Sequence, residues 1–214
     1  MQLYAVWVAL AVAALLAAEW RGSRAGVWLA KPLAAAGFLA AALAAGALDS
    51  TYGRFVLAAL LLSALGDVLL ISRGTRSAFL SGLLSFALAH LVYAGAFVLR
   101  GLEPLGFAAG TVAAVGLGTA AALWLGARVP AALRLPVRGY LCVIGLMLAC
   151  AAGASAHGGR PELLGGAALF AVSDLAVARE RFVAPAFLNK LWGLPLYFAA
   201  QLLLAASCMA ARAG

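Results

Sequence analysis

The sequence predicts an all-α fold, a polytopic membrane helical bundle with eight transmembrane helices. Three observations lead there. Of the 214 residues, 66% are hydrophobic, with a mean hydropathy of +1.07. Only 10% are charged, against roughly 25% in a soluble domain. Charges and Pro/Gly clusters cut the chain into eight apolar stretches, each close to the ~20 residues that a bilayer-crossing helix needs at a rise of ~1.5 Å per residue. A water-soluble globule, a disordered chain and a disulfide-stapled scaffold are excluded. Cys142, Cys150 and Cys208 sit in apolar runs without metal-type or redox-type spacing and read as small apolar residues.

The first stretch, residues 2–19, lacks the basic region and small-residue cleavage site of a secretory signal, so it reads as a retained helix. Arg21 and Arg24 close it, and Lys31-Pro32-Leu33 opens the second at 31–48. The third, 54–71, runs to Arg73 and Arg76, and the fourth, 77–98, to Arg100. The fifth, 105–126, stops before Arg128 and Arg134, and the sixth covers 137–155. The seventh, 161–178, lies between Arg160 and Arg179, and the eighth is 187–208. The connections are too short for an extramembrane domain, so residues 1–214 read as a single integral membrane domain.

Lys and Arg set orientation in short loops. Eleven lie in the loops after helices one, three, five and seven, and four lie on the opposite side. This bias puts both termini outside and the odd-numbered loops in the cytoplasm, in a bacterial inner (cell) membrane. It also accounts for the net charge of +8 with no nucleic-acid partner, because no aromatic-interleaved basic patch is present. Tyr4, Trp20, Trp28, Tyr52, Trp124 and Tyr140 lie near span ends, as interfacial aromatic belts require.

The chain has seven carboxylates. Glu19, Asp49, Glu103, Glu162 and Glu180 fall in loops or at span ends, where water is expected to solvate them. Asp67 and Asp174 fall inside helices three and seven, each ~7 Å from the expected cytoplasmic surface. A central Asp costs ~2.5–3.5 kcal/mol on insertion scales, and an intramembrane acid is a functional-site hypothesis by default. Their segments resemble each other: Leu62-Ser63-Ala64-Leu65-Gly66-Asp67 and Leu169-Phe170-Ala171-Val172-Ser173-Asp174, 107 residues apart. Each precedes a basic loop and an Ala-Phe-Leu run, which suggests two parallel four-helix halves, 1–104 and 105–214.

Other intramembrane polar residues fall on consistent helical faces. Gly82, Phe86, His90, Tyr93 and Phe97 share one face of helix four, and Lys190, Gly193, Tyr197 and Gln201 share one of helix eight. Such residues also serve as interhelical glue, lysines at helix ends snorkel, and Ser63 and Ser173 are expected to bond back to their own helices.

At these positions the chain resembles the YhhN family of membrane proteins, whose characterised members are lysoplasmalogenases. The resemblance runs through Lys31-Pro32-Leu33, Leu65-Gly66-Asp67-Val68-Leu69-Leu70, Gly82-Leu83-Leu84-Ser85-Phe86 and Ala89-His90-Leu91-Val92-Tyr93. It continues through Gly166 to Asp174 and Tyr197-Phe198-Ala199-Ala200-Gln201. One departure is Glu180, where the family more often has Asn. The resemblance implies hydrolysis of the vinyl ether bond of lysoplasmalogens, 1-alkenyl-glycerophosphocholine or -ethanolamine, to a fatty aldehyde and the glycerophospho-alcohol.

That reaction protonates the vinyl β-carbon and adds water to the resulting oxocarbenium ion, which needs one acid and one base. Two carboxylates at low dielectric supply both, one protonated and one ionised. Asp67 and Asp174 are therefore the expected catalytic pair, with the acid left unassigned because such a pair titrates jointly. His90, Tyr93 and Tyr197 are expected to orient water or the ether oxygen, and Lys31 and Lys190 to hold the phosphate. Tyr140, Ser173, Asn189 and Gln201 complete the substrate-binding or supporting set. No metal or cofactor is expected, and the partners are a lysophospholipid substrate and membrane lipids. Two rival readings are an intramembrane aspartyl protease-like hydrolase, whose Gly-x-Gly-Asp element would need Gly where Ala64 stands, and a proton-coupled lipid transporter.

Overall fold

A computed structural model describes residues 1–72 and 75–209. Among them are eight α-helices: α1 (Gln2–Trp20), α2 (Arg24–Ala44), α3 (Thr51–Ile71), α4 (Arg76–Leu99), α5 (Pro104–Leu125), α6 (Ala131–Gly158), α7 (Pro161–Phe182) and α8 (Phe187–Ala206). A single 3-10 turn, Gly126–Arg128, follows α5. Seven helices are long and apolar enough to cross a membrane; α8, with Asn189, Lys190 and Gln201 in its 20 residues, is not among them. The chain is an integral, multi-pass membrane protein. Arg73 and Arg212, counted in the charge bias, lie outside the described residues.

Two helices start well before the points the sequence suggests, one for a local reason and one with help from a distant residue. α2 begins at Arg24, not Lys31, because the Ser23 hydroxyl accepts a hydrogen bond from the Gly26 N–H and caps it. Lys31 and Pro32 consequently lie inside the helix. α6 begins at Ala131 and runs through Pro136. A proline cannot donate to the carbonyl four residues back, and Arg76 from α4 donates to that carbonyl, Ala132 O, at 3.2 Å. At its other end α6 closes on Gly159, whose φ of 61° is the left-handed conformation that glycine adopts without strain.

Sequential helices pack on one another from α1 to α4 and again from α5 to α8, and the two sets meet where α4 packs on α6 and α2 on α8. If α1–α4 is laid on α5–α8 in order, each of these adjacencies has a counterpart, and Asp67 and Asp174 fall on equivalent helices. α8 also touches α1 and α3, whereas the main contact of α5 is α6.

Small residues allow the close approach. A Cβ at Gly193 of α8 would stand 2.5 Å from the Ala176 Cβ of α7, and one at Gly110 of α5 would stand 2.6 Å from the Ala152 Cβ of α6. The core between the helices is alanine-rich and aromatic, with Ala34, Ala41, Ala42, Phe38, Phe97 and Phe170 fully buried. Large apolar side chains such as Leu3, Leu10, Leu29, Val112 and Leu123 point outward, which is costly in water and appropriate to a surface facing lipid.

Candidate active site

Asp67 is 2% exposed. It lies on the inner face of α3 with Ser63 and Gly66, which are also buried. Two side chains from other helices meet its carboxylate. Lys31 Nζ of α2 stands 3.1 Å from Oδ1, and the Tyr197 hydroxyl of α8 donates to Oδ2 at 2.7 Å. Both oxygens therefore accept from a donor, one from an ammonium and one from a phenol. Lys31, expected at a phosphate, lies instead against Asp67.

Asp174 of α7 has a different partner. Its Oδ2 is 3.4 Å from His90 Nε2 of α4, and neither atom has a hydrogen-bond partner by geometry. The other ring nitrogen, Nδ1, is 2.6 Å from the Phe86 carbonyl oxygen one turn back. A carbonyl only accepts, so Nδ1 carries a hydrogen. A neutral His90 would then turn a lone pair toward Asp174, and an ionised Asp174 would turn another toward His90. Two acceptors cannot face each other in a buried site without penalty. One proton between them, on either atom, resolves the conflict. Tyr140 of α6 packs edge-on to the His90 ring at 5.5 Å, and its phenol lies within reach of the Asp174 carboxylate.

The two carboxylates join through aromatic rings. Tyr197, on Asp67, meets Phe170 at 5.4 Å between ring centroids, and Phe170 meets His90, on Asp174, at 4.3 Å. Phe86 packs edge-on to both Phe170 and Tyr197. It can lie there because Gly66 has no side chain: a Cβ at that position would be 2.7 Å from the Phe86 ring. Both carboxylates line one cavity of about 750 Å³. At the end of the bundle bearing the odd-numbered loops it is lined by Ser72, Thr75, Phe79, Arg181 and Phe182. Elsewhere its walls are apolar, from Ala114, Gly118 and Ala121 of α5 and Ile144, Gly145 and Leu148 of α6.

The other expected site residues form supports around this centre. The Tyr93 hydroxyl donates to Gln201 Oε1 at 2.7 Å, both fully buried, and Gln201 is also within reach of the Tyr197 phenol. Ser173 donates back to Phe170 O of its own helix at 2.7 Å, as expected. Ser63 does not make the corresponding bond; its hydroxyl is buried without a partner. Asn189 is 1% exposed. It accepts from Arg179 and donates to Glu180 Oε2 and Ala184 O, tying the end of α7 to the start of α8. Lys190 lies between two acids, 3.2 Å from Glu180 Oε1 and 3.6 Å from Glu19 Oε2.

That last contact corrects one expectation. Glu19 is not solvated at a span end; its side chain is 6% exposed and faces Lys190. Glu180 was likewise placed in water, yet it accepts from Asn189, from the Ala186 N–H and from Lys190. The signal that could have found it was present: an acid nine and ten residues before an Asn-Lys pair, across a turn short enough to bring them together. Phe170 carried no such signal, because an aromatic residue in an apolar helix looks the same whether it faces lipid or a site; Phe86 shared the His90–Tyr93 face, but nothing there pointed to its contact with Tyr197. Among the described residues, no three His, Cys, Asp or Glu side chains converge on a metal-sized position.

The profile of the YhhN family matches residues 26–208, which takes in Lys31, both aspartates, His90 and the Tyr197–Gln201 segment. The chain belongs to the YhhN family. Within it, the chain is similar to the lysoplasmalogenase TMEM86A of Bos taurus and to the protein of the same name of Homo sapiens. Each is 35% identical over 159 residues, covering 72% of this chain and 64% of the relative. The YhhN chain thus spans just under two thirds of the length of these curated relatives. No solved structure matches it.

Proposed function

We propose that this YhhN protein is a lysoplasmalogenase, a hydrolase that cleaves the vinyl ether of 1-alkenyl-glycerophosphocholine or -ethanolamine. The observation that carries the reading is the unlike environment of two carboxylates, Asp67 buried and Asp174 partly so, on one lipid-sized, mostly apolar cavity. Asp67 meets Lys31 and the Tyr197 hydroxyl, whereas Asp174 Oδ2 faces His90 Nε2 at 3.4 Å, two acceptors that one proton between them would reconcile. The similarity to TMEM86A, named a lysoplasmalogenase, points the same way.

The steps follow from the partners. The alkenyl chain lies along the apolar walls, with the vinyl ether between the carboxylates. The Asp174–His90 pair gives its proton to the vinyl β-carbon, and the ether oxygen and its attached carbon share the positive charge. Asp67, acting as the anion and held in place by Lys31 and Tyr197, stabilises that oxocarbenium ion without having to reorganise. Water adds to the cationic carbon, and its proton returns to the Asp174–His90 pair. The hemiacetal then collapses as its hydroxyl proton passes to the glycerol oxygen. One water is consumed, and one aldehyde and one glycerophospho-alcohol leave.

Purified protein mixed with 1-alkenyl-glycerophosphoethanolamine tests the reading. It should release fatty aldehyde, and Asp67→Asn and Asp174→Asn should each lower the rate by roughly 10²–10⁴-fold, the usual worth of a positioned acid or base. Wild-type rates in both folded variants would reject it.

A further inference from the structure

The two lysines are both engaged with carboxylates, Lys31 with Asp67 and Lys190 with Glu19 and Glu180. A lipid phosphate at the cavity therefore needs another cation. Arg181 lines the cavity at the end bearing the odd-numbered loops and is exposed. Its guanidinium carbon lies 4.9 Å from the centre of the Phe79 ring, and among the described residues no carboxylate forms an ion pair with it. Phe79 is itself held by Phe182, edge-on at 5.7 Å between centroids. An arginine resting on an aromatic ring keeps its edge free, and that edge is the planar fork of N–H donors that fits a phosphate.

Arg181 is also in register with the reacting centre. It follows Asp174 by seven residues on α7, two turns less ~20°, so the two share a face ~10.5 Å apart along the axis. The three-carbon glycerol and its flanking oxygens separate the vinyl ether from the phosphorus in a lysoplasmalogen, and the long arginine side chain adds to that reach, so together they can span an interval of this order.

We propose that Arg181, stacked on Phe79, binds the phosphodiester of a lysophospholipid whose hydrocarbon chain fills the cavity. The proposal rests on the hydrolase reading only for the identity of that chain. A saturated 1-O-alkyl lysophosphatidylethanolamine, which has no vinyl ether to cleave, separates the two. Its affinity for purified protein in detergent is compared with that of the matching 1-O-alkylglycerol, which lacks the phosphate, and with that of inorganic phosphate. Arg181→Ala should weaken the alkyl lysolipid by about 10- to 100-fold, the range of lost hydrogen bonds to a charged group, and should not weaken the alkylglycerol. Arg181→Lys, which keeps the charge and loses the fork, should fall between.

Equal weakening of both lipids, or of neither, would overturn the proposal. Inorganic phosphate binding as tightly as the lysolipid, and lost in Arg181→Ala, would assign the residue to a free anion and also overturn it. Failure of aldehyde release with Arg181-dependent binding intact removes the hydrolase reading and leaves this one standing.

Discussion

Lys31 Nζ touches Asp67 twice, at the carboxylate and at the main-chain carbonyl oxygen, 3.2 Å away. The second contact holds the ammonium to the α3 backbone and fixes it independently of the carboxylate's rotamer. The Lys31 side chain is 13% exposed and that of Asp67 3%, so each charge depends on the other more than on water.

Removing Lys31 alone should consequently be worse than removing both charges. Breaking a buried pair from one side costs about 3–5 kcal/mol, whereas replacing both partners is often near neutral. Lys31→Met is expected to lower the unfolding temperature in detergent sharply. Lys31→Met with Asp67→Asn should recover much of that loss without recovering aldehyde release.

The His90–Asp174 pair should behave as one unit. Residues that share a proton are non-additive when removed. His90→Gln and Asp174→Asn should each lower turnover of a 1-alkenyl lysolipid by roughly 10²–10⁴-fold. The double variant should be little slower than the slower single one, a result that kinetics on the four proteins reads directly. Multiplied effects would mean that the two side chains act separately.

Gly193 and Gly116 provide a matched pair of packing tests. A methyl at Gly193 would meet the Ala176 Cβ at 2.5 Å, and nothing lies within 4 Å of one at Gly116. Gly193→Ala must push α8 from α7, at about 1–3 kcal/mol for overpacking, and it displaces Tyr197 and Asp174 relative to each other. Gly116→Ala should be neutral or mildly stabilising. Thermal unfolding of the two variants checks the contrast, and only Gly193→Ala should also lose activity.

Glu103 links stability to pH. Its carboxylate accepts from the Leu105 and Gly106 N–H groups at 2.9 and 2.5 Å and caps α5. These bonds, with the neighbouring His157, hold it below the usual carboxylate range. A depressed acid contributes stability that is fully present above its unfolded value of about 4.3 and is lost as pH falls through the lower folded value. The stability difference between the wild type and Glu103→Ala should therefore be constant at neutral pH and shrink below pH ~4.3, as unfolding temperatures measured across that range would show.

The helices were legible because length and hydropathy are enough to define a span. Their ends were less so, since Lys31 and Pro136 look like stop signals in a sequence. Each is inside a helix because a residue distant in the chain, Asp67 or Arg76, neutralises its charge or satisfies its orphaned carbonyl. The aspartates were found for the opposite reason: a charge in an apolar run is conspicuous without knowing its partner. What remained hidden was the pairing. Depth along a helix placed Asp67 and Asp174 near each other but gave no hint that the first would meet Lys31 and the second His90.

α5 has one main neighbour, α6. One flank carries Ala114, Gly118 and Ala121 into the cavity, and the other shows Val112, Val115 and Leu123 to the surroundings. A single helix thus separates the carboxylates from the hydrocarbon of the leaflet. For such a chamber, the molecules that compete for entry are the neighbouring membrane lipids, and the quantity that sets occupancy is abundance per unit of surface. Bulk molarity has little meaning there: adding inert amphiphile at constant total substrate would thin the supply at the wall and slow the protein.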